Sequence, residues 1–305
     1  LSEACLDLLK DQYLDQFPID MIQGGAGTSV NMNANEVIAN IALEKMGYPK
    51  GAYQFCSPND HVNLSQSTND AYPSALKLAL FQASKQVTNA LEKLFFAFDR
   101  KAKEFENVIK MGRTQLQDAV PMTLGQEFHA FASILQQDLP LLASLPELLG
   151  RVNLGGTAIG TGINAPAHYQ ELALAALSRI SNNHIQAAPD LIAATSDMGD
   201  FVLVSGYLKR TATKLSKIAN DLRLLSSGPR AGLNEIHLQA RQPGSSIMPG
   251  KVNPVIPEAM NMAAFQVIAN DLAITLAADA GQFQLNAMEP LIAFKLFDSL
   301  DLLQR

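Results

Sequence analysis

Residues 201–225 read FVLVSGYLKRTATKLSKIANDLRLL. Apolar or β-branched side chains fall at Phe201, Val204, Leu208, Thr211, Leu215, Ile218, Leu222 and Leu225. The steps alternate between three and four residues, which is the seam of a helix packed at a shallow angle against parallel or antiparallel neighbours. Ser226-Ser-Gly-Pro229 follows, where Gly and Pro supply a C-terminal stop. Similar patterning predicts helices over about 71–104, 124–149 and 254–280. The last contains only Glu258, Asp271 and Asp279 as charged residues. A helix that is apolar nearly all round is expected to be buried on all sides, here in a core shared between subunits. Its Asn261, Gln266, Asn270 and Asp271 argue against a membrane span. Strand signals are sparse and no internal repeat is visible. The expected fold class is therefore all-α, a central bundle of long helices joined by Gly-rich and polar connections.

The wider composition fits a globular protein. A length of 305 residues is a soft prior for about two domains, and 48% of the residues are hydrophobic. A net charge of −6 without any long Lys/Arg run argues against a nucleic-acid partner. Cys5 and Cys56 match no metal or redox spacing, and a reducing, cytoplasmic setting is expected. The opening Leu1-Ser-Glu-Ala-Cys5 has neither a basic region nor an apolar core, so no signal peptide is expected there. The absence of an initiator Met is what a piece of a longer chain would show. His61, His129, His168, His184 and His237 show no metal spacing, and structural roles are expected for them.

Four polar loops interrupt the apolar pattern. The first is Gly24-Gly-Ala-Gly-Thr-Ser29, leading into Asn31-Met-Asn-Ala-Asn-Glu36. Glycines let a backbone approach a ligand closely, and loop N–H groups beside hydroxyls can bind a carboxylate. The plainer reading is a turn before a helix starting near Asn35. The second is Ser65-Gln-Ser-Thr-Asn-Asp70, which reads equally as a helix cap or as an anion site at a helix N-terminus. The third, Gly112-Arg-Thr-Gln-Leu-Gln-Asp-Ala119, is either a loop with an Arg113–Asp118 ion pair or a substrate contact through Thr114 and Gln115. The fourth is Gly244-Ser-Ser-Ile-Met-Pro-Gly-Lys-Val-Asn-Pro254. Lys251 is its single charge, which suits a mobile flap that carries one cation to an anion.

Rival motifs fail on spacing. A Walker A loop needs four residues before Gly-Lys and then Ser or Thr, whereas Val252 follows Lys251. A nucleophile elbow needs Gly where Met248 stands. The run Gly155-Gly-Thr-Ala-Ile-Gly-Thr-Gly162 has the wrong spacing for a dinucleotide fingerprint. It reads as a crossover between bundle helices at the rim of a site, following a helix.

Together the four loops resemble the aspartase/fumarase superfamily, along essentially the whole chain. The stretches that carry the resemblance are Gly244–Pro254, Gln23–Ser29, Gln66–Asp70, Lys110–Met122 and Ser226–Glu235. Within that superfamily the likeness is to ammonia-lyases acting on aspartate rather than to hydratases. Fumarases typically carry two serines where this chain has Ser67-Thr68, and His where it has Gln115. In them that His pairs with an acidic residue matching Glu258. The resemblance implies a short N-terminal domain of which residues 1–65 would be the C-terminal part. Residues 66–305 would form the central helical bundle, and a small C-terminal domain is not expected within the chain. It also implies a homotetramer with each active site shared by three subunits.

The reaction so implied is reversible elimination of ammonia from L-aspartate to give fumarate. Fumarate hydration, another lyase reaction of the superfamily, or a non-catalytic scaffold are the alternatives. By resemblance Ser245 is the base and Lys251 stabilises it. Thr28, Ser67, Thr68 and Ser246 are placed on the β-carboxylate, and Lys251, Asn253 and Thr114 on the α-carboxylate. Asn69 and Gln115 are placed on the amino group, and Glu258 is a supporting residue. The expected ligand is a small dicarboxylate or amino acid. No organic cofactor and no catalytic metal are expected, although some relatives respond to divalent metal.

Overall fold

Thr123 begins a helix because its hydroxyl accepts the N–H of Gln126 while the Gln126 side chain accepts the N–H of Thr123. This capping box fixes where the bundle pattern starts after the third loop. The structure is a computed structural model that describes residues 1–10 and 12–305. Its helices are α1 (Ser2–Leu8), α2 (Thr28–Lys45), α3 (Thr68–Glu104), α4 (Leu124–Gln136), α5 (Leu139–Ala143), α6 (Leu145–Leu149), α7 (Tyr169–Ser181), α8 (Leu191–Ser196), α9 (Gly199–Leu225), α10 (Val255–Asp279) and α11 (Glu289–Gln304). Four short strands accompany them: β1 (Ile109–Thr114), β2 (Gln117–Thr123), β3 (Arg151–Val152) and β4 (Gln186–Ala187). The fold is thus mostly helical, as the periodicity predicts, and the differences are local.

Five expectations need correction. The helix predicted over 124–149 is three helices, because Pro140 and Pro146 lack an N–H and their rings clash with the preceding turn. The third loop is a β-hairpin: β1 and β2 pair antiparallel, and Gln115 and Leu116 turn the chain with φ of 53° and 62°. Two left-handed residues are what a tight hairpin turn needs, and the usual Asn-Gly signal is missing here. Helix α2 starts at Thr28 rather than near Asn35, and α3 at Thr68 rather than near 71. The Gly155–Gly162 run follows β3, which pairs in parallel with β4 through Arg151–Gln186 and Val152–Ala187, not a helix directly.

The chain divides into two compact units, each drawn from separated stretches. One comprises Leu1–Gln82, Pro146–Val202 and Ala273–Leu296. In it Ala4 of α1 packs with Ala39, Ile41, Ala42 and Leu43 of α2 and with Cys56. Val152, Leu174 and Ile185 form a second apolar cluster beside Leu78, Leu154 and Leu177.

The other unit comprises Ala83–Leu145, Leu203–Leu272 and Phe297–Arg305. Phe98, Phe105, Phe128 and Phe131 meet there mainly edge to face, with centroids 5.3–5.9 Å apart. Helix α10 is the one helix among the described residues long and apolar enough to cross a membrane. Three of its polar residues are engaged by neighbouring helices. Asn261 bonds Ser216 and Arg223 of α9, Asp271 bonds Ser205 and Lys209 of α9, and Asn270 bonds Asp298 and Ser299 of α11. Within one chain α10 is not buried all round: Met262, Phe265, Leu272 and Leu276 are exposed.

Candidate functional site

The candidate residues fall into two sets, one in each unit. In the first unit, Gly25, Ala26 and Gly27 carry φ of 97°, 54° and 85° and turn the chain into α2. Gly27 lies against the Tyr72 ring so closely that a Cβ would come within 2.6 Å of it. Thr28 is exposed at the first position of α2. One turn along, Asn31 donates to Thr68 Oγ1 at 3.0 Å and to Asn63 Oδ1 at 3.2 Å, and Asn35 donates to Asn63 Oδ1 at 3.0 Å. The first two loops are thereby joined. Thr68 still has its own hydroxyl proton to give.

Ser67 caps α3. Its Oγ accepts the Asn69 N–H at 3.2 Å, while Asp70 accepts the Ser67 N–H at 3.0 Å. Capping and ligand binding, which the sequence leaves level, are therefore compatible here, because Thr68 and Asn69 remain beside the cap. Asp70 is fully buried and also accepts the N–H groups of Gly155 at 3.0 Å and Thr157 at 2.8 Å. Burial raises its pKa, and the four backbone donors around it pull the other way.

In the second unit, Thr114 and Gln115 sit exposed at the tip of the β1–β2 hairpin. Arg113 meets Asp118 only at 3.8 Å and Glu235 at 2.6 Å, so Glu235 is its main partner. Lys110, 7% exposed, also bonds Glu235 at 2.9 Å and Glu127. Burial works to raise the Glu235 pKa, but Arg113 and Lys110 outweigh it and hold the carboxyl below its ordinary value. A cavity of about 330 Å³ lies beside this cluster, lined in part by Gln115, Lys217 and Leu233.

The fourth loop closes on itself. Asn253 donates to the Gly244 carbonyl, and Gly244 packs so tightly on the Lys251 carbonyl that no Cβ fits. Ser245 is half-buried, and its Oγ accepts the N–H groups of Ile247 at 3.2 Å and Met248 at 3.1 Å. Ser246 and Lys251 are exposed, and Glu258 is half-buried in the first turn of α10. Lys251 and Asn253 line a cavity of about 530 Å³ together with Arg223, Ser226 and Ser227.

The bonds of Asn31 thus join α2, which Thr28 opens, to the segment that carries Ser67, Thr68 and Asn69. Thr114 and Gln115, and separately Ser245, Ser246, Lys251, Asn253 and Glu258, belong to the other unit. Sequence reasoning missed Asn31, Asn35 and Asn63, Asp70 and Asn153, and Arg223. Asn31 and Asn35 stand four apart on one helix face, a spacing that would have found them once α2 was begun at Thr28. Among the described residues no group of three or more His, Cys, Asp or Glu is placed to hold a metal ion.

Fold and side chains define a helical-bundle protein whose polar loops carry hydroxyl, amide and lysine side chains. The family described as Lyase matches residues 1–269. The chain belongs to this lyase family, the aspartase/fumarase superfamily. It is 67% identical to an aspartate ammonia-lyase of Pseudomonas fluorescens over all of its length and 64% of the relative's. It is 59% identical to one of Helicobacter pylori, over all of this chain and 65% of that protein. The Escherichia coli K12 aspartate ammonia-lyase is 57% identical over 98% of this chain and 63% of its own. The chain therefore spans just under two thirds of the length of these relatives. A solved structure of "fumarate lyase:delta crystallin" from Brucella melitensis bound to cobalt superposes with a TM-score of 0.97 at 59% identity. It is covered over 66% of its chain and 99% of this one. A class II fumarase from Schistosoma mansoni gives a TM-score of 0.95 at 38% identity, over 99% of this chain and 66% of its own.

Proposed function

We propose that the protein is an aspartate ammonia-lyase, catalysing reversible elimination of ammonia from L-aspartate to give fumarate. The difficult step is removal of a proton from C3, beside the β-carboxylate. The C–H electrons enter that carboxylate as an enediolate. They return to form the C2–C3 double bond as the C2–N bond breaks and ammonia leaves. Such a site needs donors aimed at one carboxylate, each worth about 3–4 kcal/mol in the transition state. Thr28, Ser67, Thr68 and Ser246 have hydroxyls for that task.

The observation that carries the reading is the environment of Ser245. A serine oxygen is a base only when its alkoxide is stabilised. Two backbone N–H groups, of Ile247 and Met248, already point at this oxygen. Lys251, with Asn253 and Thr114, holds the α-carboxylate, and closure of the 244–253 loop excludes water. Asn69 and Gln115 receive the amino group. Glu258 supports the second set from the start of α10. Gln115 cannot shuttle a proton, which disfavours hydration through a His pair. The higher identity to aspartate ammonia-lyases than to the class II fumarase supports the same choice.

The proposed assembly is a homotetramer in which three subunits supply each active site. The exposed apolar face of α10 supports it, since such a face is stable in water only when covered. Elimination needs no hydride or electron sink, so no organic cofactor is assigned a part. A divalent-metal effect would be one of activation, read by assay with and without a chelator.

The test is ammonia release and fumarate absorbance with L-aspartate, run beside fumarate and water. Ser245→Ala is expected to abolish turnover and keep succinate binding. Near-normal turnover in that variant removes Ser245 as base, and malate formation without ammonia release removes the function.

A further inference from the structure

The Gly155–Gly162 run takes no part in the proposed chemistry, yet it is bound to the segment that does. Three polar groups of Asn69 are occupied. Its N–H goes to Ser67 Oγ at 3.2 Å, its side-chain Nδ2 donates to the Ala158 carbonyl at 2.8 Å, and its own carbonyl accepts from Asn153 Nδ2 at 2.9 Å. That carbonyl is free for Asn153 because Pro73, four residues on inside α3, has no N–H to offer it. Asn153 is 3% exposed and is itself anchored to Thr195 Oγ1 at 3.0 Å.

The run is tied from the other side as well. Asp70 holds the Gly155 and Thr157 N–H groups. Thr157 is kept at φ 56°, a region a β-branched residue avoids. Its buried hydroxyl has no hydrogen-bond partner, so the side chain does not account for the conformation. The backbone bonds to Asp70 do, and they fix where the Ala158 carbonyl lies.

An amide end 2.8 Å from a carbonyl oxygen must be the NH₂ end, because two oxygens do not share a proton that neither carries. The Asn69 oxygen is therefore the end left free to accept. We propose that Asp70, Asn153 and the Gly155–Ala158 segment form a positioning frame that presents the Asn69 amide oxygen to the ammonium group of the ligand. The frame thereby sets a preference for an amino over a hydroxyl or unsubstituted dicarboxylate. This rests on the aspartate reading above. An ammonium is a charged donor with no acceptor, and its bond to the amide oxygen is about twice as strong as a neutral one. Turned by half a revolution, the amide would present N–H groups and repel it.

The test uses the protein at its natural length, with Asp70→Asn and Asn153→Ala made separately. Readouts are kcat/KM for L-aspartate, the inhibition constant of succinate, and thermal unfolding. Succinate has both carboxylates and no amino group. The expected result is a loss of roughly tenfold to a hundredfold in kcat/KM, the range of one charge-assisted bond, with succinate inhibition unchanged within about twofold. Equal losses for both ligands, or no loss for either, overturn the frame. Asn153→Ala removes no buried charge, so it decides the matter where Asp70→Asn does not fold. If the unaltered protein binds succinate but neither binds nor deaminates L-aspartate, the proposed function falls and the frame with it. If it deaminates aspartate and the variants do not discriminate, only the frame falls.

Discussion

Glu289 opens α11 with 1% of its surface exposed and neither carboxyl oxygen hydrogen-bonded. Burial pushes its pKa from the ordinary 4.5 up to about 8, and Lys77 pulls in the opposite direction. Lys77 is itself committed to the Arg151 carbonyl and to Asp200, each at 2.6 Å. Tyr72, the other titratable neighbour on α3, is pushed up to about 12 by burial and by Glu289, so it keeps its proton in this range. Between 4.5 and about 8 the folded protein then holds a proton that the unfolded chain has released. Stability must fall with rising pH there. The contribution is complete below about 4.5 and is lost as pH passes through about 8. Each pH unit is worth about 1.4 kcal/mol, so the ceiling over this interval is about 5 kcal/mol. Local relaxation and water entry reduce such a penalty, so the change should fall below that ceiling. Glu289→Gln keeps the shape and cannot ionise. Urea unfolding of both proteins at pH 5, 6, 7, 8 and 9 should show the variant gaining on the parent as pH rises, then levelling off. A constant offset between the two is allowed. Parallel curves across the range, or a gap that narrows with pH, would refute the argument.

Three further outcomes are expected. Asp138, 1% exposed, accepts from Lys214 at 2.5 Å, Arg210 at 3.0 Å and Thr211 at 3.0 Å, so Asp138→Ala should cost about 3–5 kcal/mol in denaturant unfolding. A loss under about 1 kcal/mol would show that the network repacks. Gly27→Ala combines a left-handed backbone, about 1–2 kcal/mol, with collision against the Tyr72 ring, and should lower both unfolding stability and succinate affinity. Phe265→Lys on the exposed face of α10 should reduce the mass measured by analytical ultracentrifugation, and an unchanged mass would remove that face from the proposed subunit contact.

The helices were legible because period and burial coincide. Along α9, Phe201, Val204, Leu208, Thr211, Leu215, Ile218 and Leu225 are all buried, on the spacing that predicts them. What sequence reading lost was backbone geometry set from a distance. Nothing local marks Gln115-Leu116 as a hairpin turn; the pairing of Lys110 with Met122 imposes it. The candidate loops were legible as polar punctuation, but their organisers were not. Asp70 reads as one more capping residue, and Asn153 as an ordinary loop amide. Only the fold brings Asp70 to Gly155 and Asn153 to the carbonyl that Pro73 leaves free.

Helix α10 shows why average hydropathy misleads about burial. Three of its polar residues face inward: Asn261 is 3% exposed, Asn270 1% and Asp271 8%, each paired with a neighbouring helix. Its outward side carries large apolar residues, with Met262 65% exposed, Phe265 60%, Leu272 62% and Leu276 62%, beside the exposed Gln266, Thr275 and Asp279. A surface helix in a monomer turns mainly polar residues to water, and so many large apolar ones outward is a departure from that. The inward amides and carboxylate fix register against α9 and α11, because each would cost several kcal/mol if buried without its partner. The outward apolar residues have no such constraint, and covering them contributes about 25 cal/mol for each Å². A face of that kind gains stability only from a surface equally apolar. That makes a second copy of the same helix a chemically consistent cover, and it connects the bundle to the proposed assembly of loops from several subunits around one substrate.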